Sequence, residues 1–322
     1  MKTYEFLTGD MAPLFWPAVV AGVAIALIGA LLSVPVVLKR LAFIGQGVSH
    51  AAFGGAGVAL VLGLTGTTAA MSLAYLGVVG MFCVLTALGV AWAASRPANG
   101  AGGEGARGPG EQATGEDTLI GVFLVASMAL GSLLTHWHTQ RLKHGNAAGN
   151  SGPVRSAEQI LFGSIFDVSW TDAVLAWGVL LVTLVTLIHT RRAMAFWLFD
   201  EPAASAFGVP VLRLRYLLLA LLGIATVTAM KLAGAVLATA LLVIPGAVAL
   251  RLTQRLNAAL LLACISGLVG MLGGLVLSFE FDWPPGASVV MVLAGQFVLA
   301  SVWGGVWRGI DRAFGGRAKA PS

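Results

Sequence analysis

Residues 14–38 read LFWPAVVAGVAIALIGALLSVPVVL, without one Asp, Glu, Lys, Arg or His. A membrane-spanning helix needs about 20 mostly apolar residues, and this run exceeds that length. It is too long for the apolar core of a secretory signal and lacks a convincing cleavage site. It therefore reads as a retained helix, interrupted or kinked near Pro17 and Pro35.

Runs of the same kind recur along the chain. Spans are expected at 14–38, 41–64, 68–94, 117–135, 170–189, 213–231, 234–251, 257–278 and 286–307. The composition agrees. Apolar residues make up 58% of the 322 and charged residues only 10%, with a mean hydropathy of +0.90. A soluble domain carries about 25% charged residues and could not cover its surface with so few. The fold class expected is all-α: a polytopic transmembrane bundle of about nine spans, a single unit over 1–322. Eight or ten spans follow if 158–168 or 213–251 is misassigned. The 42 glycines have no triplet period, which excludes a collagen-like chain. Most serve close helix packing, as in the Gly47, Ala51, Gly55 series. The two cysteines, Cys83 and Cys264, lie in apolar runs and read as small buried hydrophobes.

Lys and Arg set the orientation. With the N-terminus outside, fourteen of the nineteen basic residues fall on the cytoplasmic side, a strong positive-inside bias. The C-terminus is then cytoplasmic, with a tail over 308–322. The net charge of +5 reflects this bias, so no nucleic-acid partner is expected. Two long polar loops interrupt the pattern. Residues 95–116, rich in Gly and charge, are expected as a flexible cytoplasmic loop. Residues 136–157 form a histidine-containing loop outside. The stretch EQILFGSIFDV (158–168) is too short to cross and is expected at the interface.

Charged groups are sorted to loops and span ends. His50 is the one member of the Asp, Glu, Lys, Arg and His set near mid-span. An ionisable group at that depth is costly and marks a functional candidate. It either hydrogen-bonds a neighbouring helix or handles an ion, and imidazole is a common metal ligand. Gln46, four residues earlier, and Ser49 place polar oxygen near it. Adjacent Ser49 and His50 point to different helix faces and form no catalytic dyad. Paired intramembrane carboxylates, HExxH, CxxC and a GxxxxGK[ST] phosphate loop are absent from the sequence, so no enzyme activity and no nucleotide site are expected.

Three weaker groups remain. His136, His138 and His144 could gather a metal ion, although an exposed basic loop accounts for them more simply. Glu280 and Asp282 precede the Pro284–Pro285 turn in a loop expected outside, where two carboxylates would draw cations. Lys231 lies on the same side and could reach the headgroups. On the cytoplasmic side, FDEPAASAFGVP (199–210) reads as a short helix. Asp200 and Glu201 favour its start, Pro202 its first turn, and Gly208 its end.

Six stretches, in order, resemble the permease subunit of metal-type ATP-binding-cassette importers, the zinc, manganese and iron uptake class. They are KRLAFIGQGVSHAAFGG (39–55), DTLIGVFLVASMALG (117–131), EQILFGSIFDVSWTD (158–172), FDEPAASAFGVPV (199–211), TAMKLAGAVLATALLVIPGAVALRL (228–252) and FDWPPGASVV (281–290). The fifth and sixth look most like the zinc branch. The resemblance implies a homodimer in the inner (plasma) membrane. It also implies two cytoplasmic ATPase subunits that supply ATP hydrolysis, and an extracytoplasmic metal-binding protein. It makes 199–210 the coupling helix, with Asp200, Glu201, Pro202, Ala203, Ala204 and Gly208 as the ATPase-coupling set.

The transported ion implied is zinc, with manganese or iron as alternatives, and no permanently bound cofactor. The chain departs from the family at Gln46, where an acidic residue is usual, so either His50 alone guides the ion, or another group such as Glu280 or Asp282 takes part, or the substrate differs. Two rivals from other classes are an ion-coupled secondary transporter and a structural membrane protein. The first calls for inverted repeats and paired intramembrane carboxylates, and neither is visible in the sequence.

Overall fold

The computed structural model of the chain describes residues 12–64, 69–95, 109–144 and 168–315. Among the described residues there are helices and turns but no strand. The helices are α1 (Ala12–Leu38), α2 (Ala42–Val61), α3 (Ala69–Ser95), α4 (Pro109–His144), α5 (Trp170–Phe199), α6 (Glu201–Ala206), α7 (Val211–Leu252), α8 (Leu256–Phe281) and α9 (Pro285–Gly315). Within the described residues, six segments are long and apolar enough to cross a membrane. They are Phe15–Leu38, Trp170–Phe199, Val211–Met230, Gly234–Leu252, Leu256–Phe281 and Pro285–Trp303. The chain is a polytopic helical membrane protein.

Helix α1 is the axis of the bundle. It is largely buried and packs against α5, α7 and α8. Pro17 and Pro35 both lie inside it, and backbone bonding continues past Pro35, whose carbonyl accepts from Lys39 N–H at 3.0 Å. Leu41 N–H then reaches back to Val36 O at 2.8 Å, with Arg40 in the left-handed region (φ 55). A non-glycine residue there costs roughly 1–2 kcal/mol. In return the chain reverses within three residues and α2 starts at once.

Helix α7 is assigned as one element but is two antiparallel spans. At Gly234 the backbone takes φ 82, ψ 164, a region open essentially to glycine alone. Packing on either side gives the directions. Arg215 acts on Glu201, which pairs with Lys39 just before α2, and Leu222 lies against Gly45 in the first turn of α2, so the first half rises beside α2. Farther on, Leu241 lies against Gly29 and Gly246 against Ser33, so the second half descends beside α1. A Cβ on Gly246 would sit 2.5 Å from the Ser33 carbonyl carbon. Only a hydrogen there allows the two backbones to come this close. Helices α8 and α9 close the far side, where Ser266 and Gln296 form a hydrogen-bonded pair across their interface.

Helix α4 is longer than the span expected at 117–135. Its 36 residues extend about 54 Å at 1.5 Å per residue, against roughly 30 Å of hydrocarbon. Residues 109–116 and 136–144, expected as loop, are therefore helical. The sequence gives the reason. Pro109 is suited to a first turn, acids at 111, 116 and 117 follow, and Arg141, Lys143 and His144 close the other end. That charge order complements the helix dipole. The rest of both expected loops, 96–108 and 145–157, lies outside the described residues. So do residues 158–167 of the expected interfacial segment and 316–322 of the tail, whose earlier part, 308–315, continues α9.

Candidate functional site

Helix α2 has two unlike faces. Its back is committed to packing, with Val48, Ser49, Ala51, Ala52 and Ala56 buried. The Ser49 hydroxyl donates to Gly45 O at 2.8 Å within its own helix. The Cys83 thiol of α3 lies 3.5 Å from Val48 O on this side. Both cysteines are free. Ser49 is therefore set apart from Gln46 and His50.

The front carries Gln46 and His50, one helical turn apart. Gln46 is exposed and His50 half-buried, and neither has a polar partner among the described residues. One turn farther, α4 closes over α2. A Cβ on Gly54 would sit 2.9 Å from Ser127 O, and one on Gly57 3.0 Å from Gly131 O. His50 thus stands where the packed part of α2 gives way to an open face. Among the described residues no polar group engages its imidazole, which leaves either ring nitrogen open to an ion.

The other candidates do not join it. Glu280 lies in the last turn of α8 and Asp282 is its left-handed cap (φ 55), both exposed at the turn into α9. Stacked Phe281 and Trp283 brace that turn at 5.2 Å between ring centroids, and the Ser278 hydroxyl donates to Trp283 O at 2.7 Å. Helix α8 packs against α1, α7 and α9, whereas α2 packs against α3, α4 and α7. His136 and His138 lie on helical α4 rather than in a loop. Two residues apart on a helix, they diverge by about 200° at 3.6 residues per turn. His136 is within hydrogen-bonding distance of Gln140, at 2.9 Å, and Arg141 covers Trp137 at 3.9 Å. Among the described residues no three of His, Cys, Asp and Glu gather as a metal would require. The side chains of His144 and Lys231 lie outside the described ones.

At the basic end of the bundle, α6 leaves α5 through Asp200. The Asp200 carboxylate accepts from Ala203 N–H at 2.9 Å, capping the helix, with Pro202 in the first turn. Ala204 is fully buried. Gly208, at φ 77, ends the turn, where Val209 N–H reaches Ala204 O at 3.0 Å. Phe199 and Phe207, which flank this short element, remain exposed.

Glu201 is anchored to a distant part of the chain. Its carboxylate accepts from Lys39 Nζ at 2.9 Å. The same ammonium stands 4.6 Å from the centroid of the Trp197 ring, within range of a cation–π contact. Burial alone would raise the Glu201 pKa. The hydrogen bond and charge of Lys39 oppose it, together with the Trp197 indole and the charge of Arg215, and the net shift is downward. The Trp197 ring is buried, and its N–H closes no bond at hydrogen-bonding distance among the described residues. Sequence reading missed this contact because Lys39 and Glu201 are 162 residues apart.

A family described as "ABC 3 transport family" matches residues 11–92 and 110–304 of the chain. "Manganese transport system membrane protein MntC" of Halalkalibacterium halodurans is 30% identical over 88% of this chain and 85% of its own. "High-affinity zinc uptake system membrane protein ZnuB" of Haemophilus influenzae is 25% identical over 90% and 97%. "Chelated iron transport system membrane protein YfeD" of Yersinia pestis is 27% identical over 90% and 86%. Among solved structures, a chain of "PsaBC from Streptococcus pneumoniae in complex with Fab" superposes with a TM-score of 0.71 at 22% identity, covering 93% of this chain and 94% of that one. That likeness concerns the fold. With most of its length matched from α1 to α9, the chain belongs to the ABC 3 transport family.

Proposed function

We propose that this chain is the membrane permease subunit of an ATP-powered importer for a divalent transition metal, working in the inner membrane. The observation that carries the reading is the match along most of the chain to membrane proteins named for manganese, zinc and iron transport. The chain itself hydrolyses nothing. ATP is consumed by partner ATPase subunits, and an extracytoplasmic metal-binding protein delivers the ion. Nine spans with the N-terminus outside, as the basic-residue count suggests, put α6 on the cytoplasmic side.

Two copies would complete the path. Gln46 is exposed in the single chain, so a symmetric pair can turn the two Gln46–His50 faces towards each other. The ion would meet Glu280 and Asp282 first, then the His50 imidazoles. Asp200, Glu201, Pro202, Ala203, Ala204 and Gly208 form the element that meets the ATPase, and exposed Phe199 and Phe207 supply its apolar contacts. Lys39 then joins this element to the turn from which α2, and so His50, begins. ATP-driven movement of α6 reaches the pathway by that connection.

Zinc is the cargo that the ligands favour. Imidazole suits zinc, manganese prefers oxygen donors, and Gln46 offers no charge. Manganese is the second reading, favoured by the 30% identical relative named for it. The test is uptake of radioactive zinc and manganese by liposomes holding the chain with or without an ATPase subunit. Uptake is expected only with the ATPase and ATP. Metal entry through the chain alone would overturn the reading in favour of an ion-coupled carrier.

A further inference from the structure

We infer that a groove between α1, α5 and α8 at the basic end of the bundle is a binding site for an anionic phospholipid of the cytoplasmic leaflet. The groove encloses about 310 Å³, within the range of roughly 300–1,000 Å³ usual for ligand pockets. Its walls are apolar: Leu31 and Pro35 from α1, Leu187 and Leu198 from α5, Leu260 from α8. Such walls suit an acyl chain. Its polar edge is made by Arg191 and Arg192, near the end of α5, with Asn257 at the start of α8 facing them.

The charge pattern selects the headgroup. Both guanidiniums are exposed and neither has a hydrogen bond or ion pair among the described residues. Two other basic groups of this end are engaged elsewhere: Lys39 binds Glu201 and Arg251 lies 4.9 Å from the Phe297 centroid. The groove thus pairs apolar depth with two free planar cations at its mouth. Guanidinium forks match phosphate oxygens two at a time, and Asn257 can donate to a third. Basic recesses between helices on the cytoplasmic face are where anionic headgroups settle.

The inference rests on the membrane reading above, in which the basic end faces the cytoplasm. It does not depend on which ion is carried. Bound lipid would tie α5 to α1 and α8 directly upstream of α6, so its natural role is to steady the element that meets the ATPase.

Native mass spectrometry of the full chain tests it, using mixed micelles of phosphatidylglycerol and phosphatidylcholine in equal amounts. The chain should retain phosphatidylglycerol in preference. Arg191→Gln with Arg192→Gln should lower that preference roughly tenfold or more, and the Lys pair should keep part of it. Ala195→Trp fills the groove with both arginines in place and should expel the lipid as well. It decides the matter if the double variant fails to fold. Unchanged preference in Ala195→Trp or in the double Gln variant overturns the site. Displacement of lipid by millimolar inorganic phosphate would assign the arginines to free phosphate instead. Loss of self-association in the double variant at constant lipid count would assign the groove to a second copy. No metal or ATP enters the measurement, so its failure leaves the importer reading standing, and failure of metal uptake leaves lipid retention intact.

Discussion

Lys39 Nζ and Glu201 Oε2 stand 2.9 Å apart, although 162 residues separate them. Lys39 is 13% exposed and Glu201 46%. The pair joins the turn between α1 and α2 to the first turn of α6. An exposed pair of this kind contributes roughly 0.2–1 kcal/mol, too little to hold the fold. Its value lies in where it connects, because His50 is about 12 Å up α2 from Ala42 at 1.5 Å per residue.

Breaking the pair should therefore cost coupling rather than folding. Lys39→Met or Glu201→Gln is expected to lower ATP-driven metal uptake several-fold with little change in thermal stability. The exchange of the two, Lys39→Glu with Glu201→Lys, should restore part of the uptake. Full transport in both single variants would remove the tie from the mechanism.

The same pair sets a pH dependence. The folded Glu201 carboxyl titrates below its ordinary value. Its contribution is therefore fully present above the usual glutamate range, near 4.3. It disappears as the pH falls through the lower folded value. Glu201→Gln should flatten the acid side of the stability profile, measured by thermal unfolding across that window. A profile identical to that of the parent would contradict the assignment.

His50→Ala is expected to abolish metal uptake while ATPase binding and assembly persist. Gln46→Asp should raise manganese uptake relative to zinc, since it adds an anionic oxygen donor one turn from the imidazole. Competition uptake with both metals reads the ratio, and a ratio unmoved by the acid would place position 46 off the path.

Histidines 136 and 138 point apart on α4, so His136→Ala with His138→Ala should leave uptake unchanged at saturating metal. A marked loss in the transport assay would show that this helical extension handles the ion.

Gly234 carries a turn that a side chain resists. Gly234→Ala is expected to cost roughly 1–3 kcal/mol, read as a lowered unfolding temperature and yield of folded protein. Wild-type stability would mean that the hairpin tolerates another backbone path.

Much of this architecture was legible in the sequence. Uninterrupted apolar runs declare helices because the bilayer leaves no other way to satisfy the backbone. The α6 signals, from the Asp200 cap to Gly208, are local and could be read directly. The length of α4 was obscured. Its polar ends look like loop by composition, and only the order of their charges hints at helix. Asp172 stands at a span edge, in the first turn of α5, and spacing alone did not show that it is buried there in a capping box with Ser169.

The sequence by itself determined the class of the molecule, its orientation bias and the isolation of His50, because these depend on composition and on spacing along one chain. The tertiary structure decided the rest. It set Ser49 against packing and left Gln46 open, split Glu280 and Asp282 from the histidine, and brought Lys39 to Glu201. Each of these depends on which helices lie side by side. That is settled by close approaches such as Gly246 on Ser33 and Gly57 on Gly131, and spacing within one helix carries no record of its neighbours.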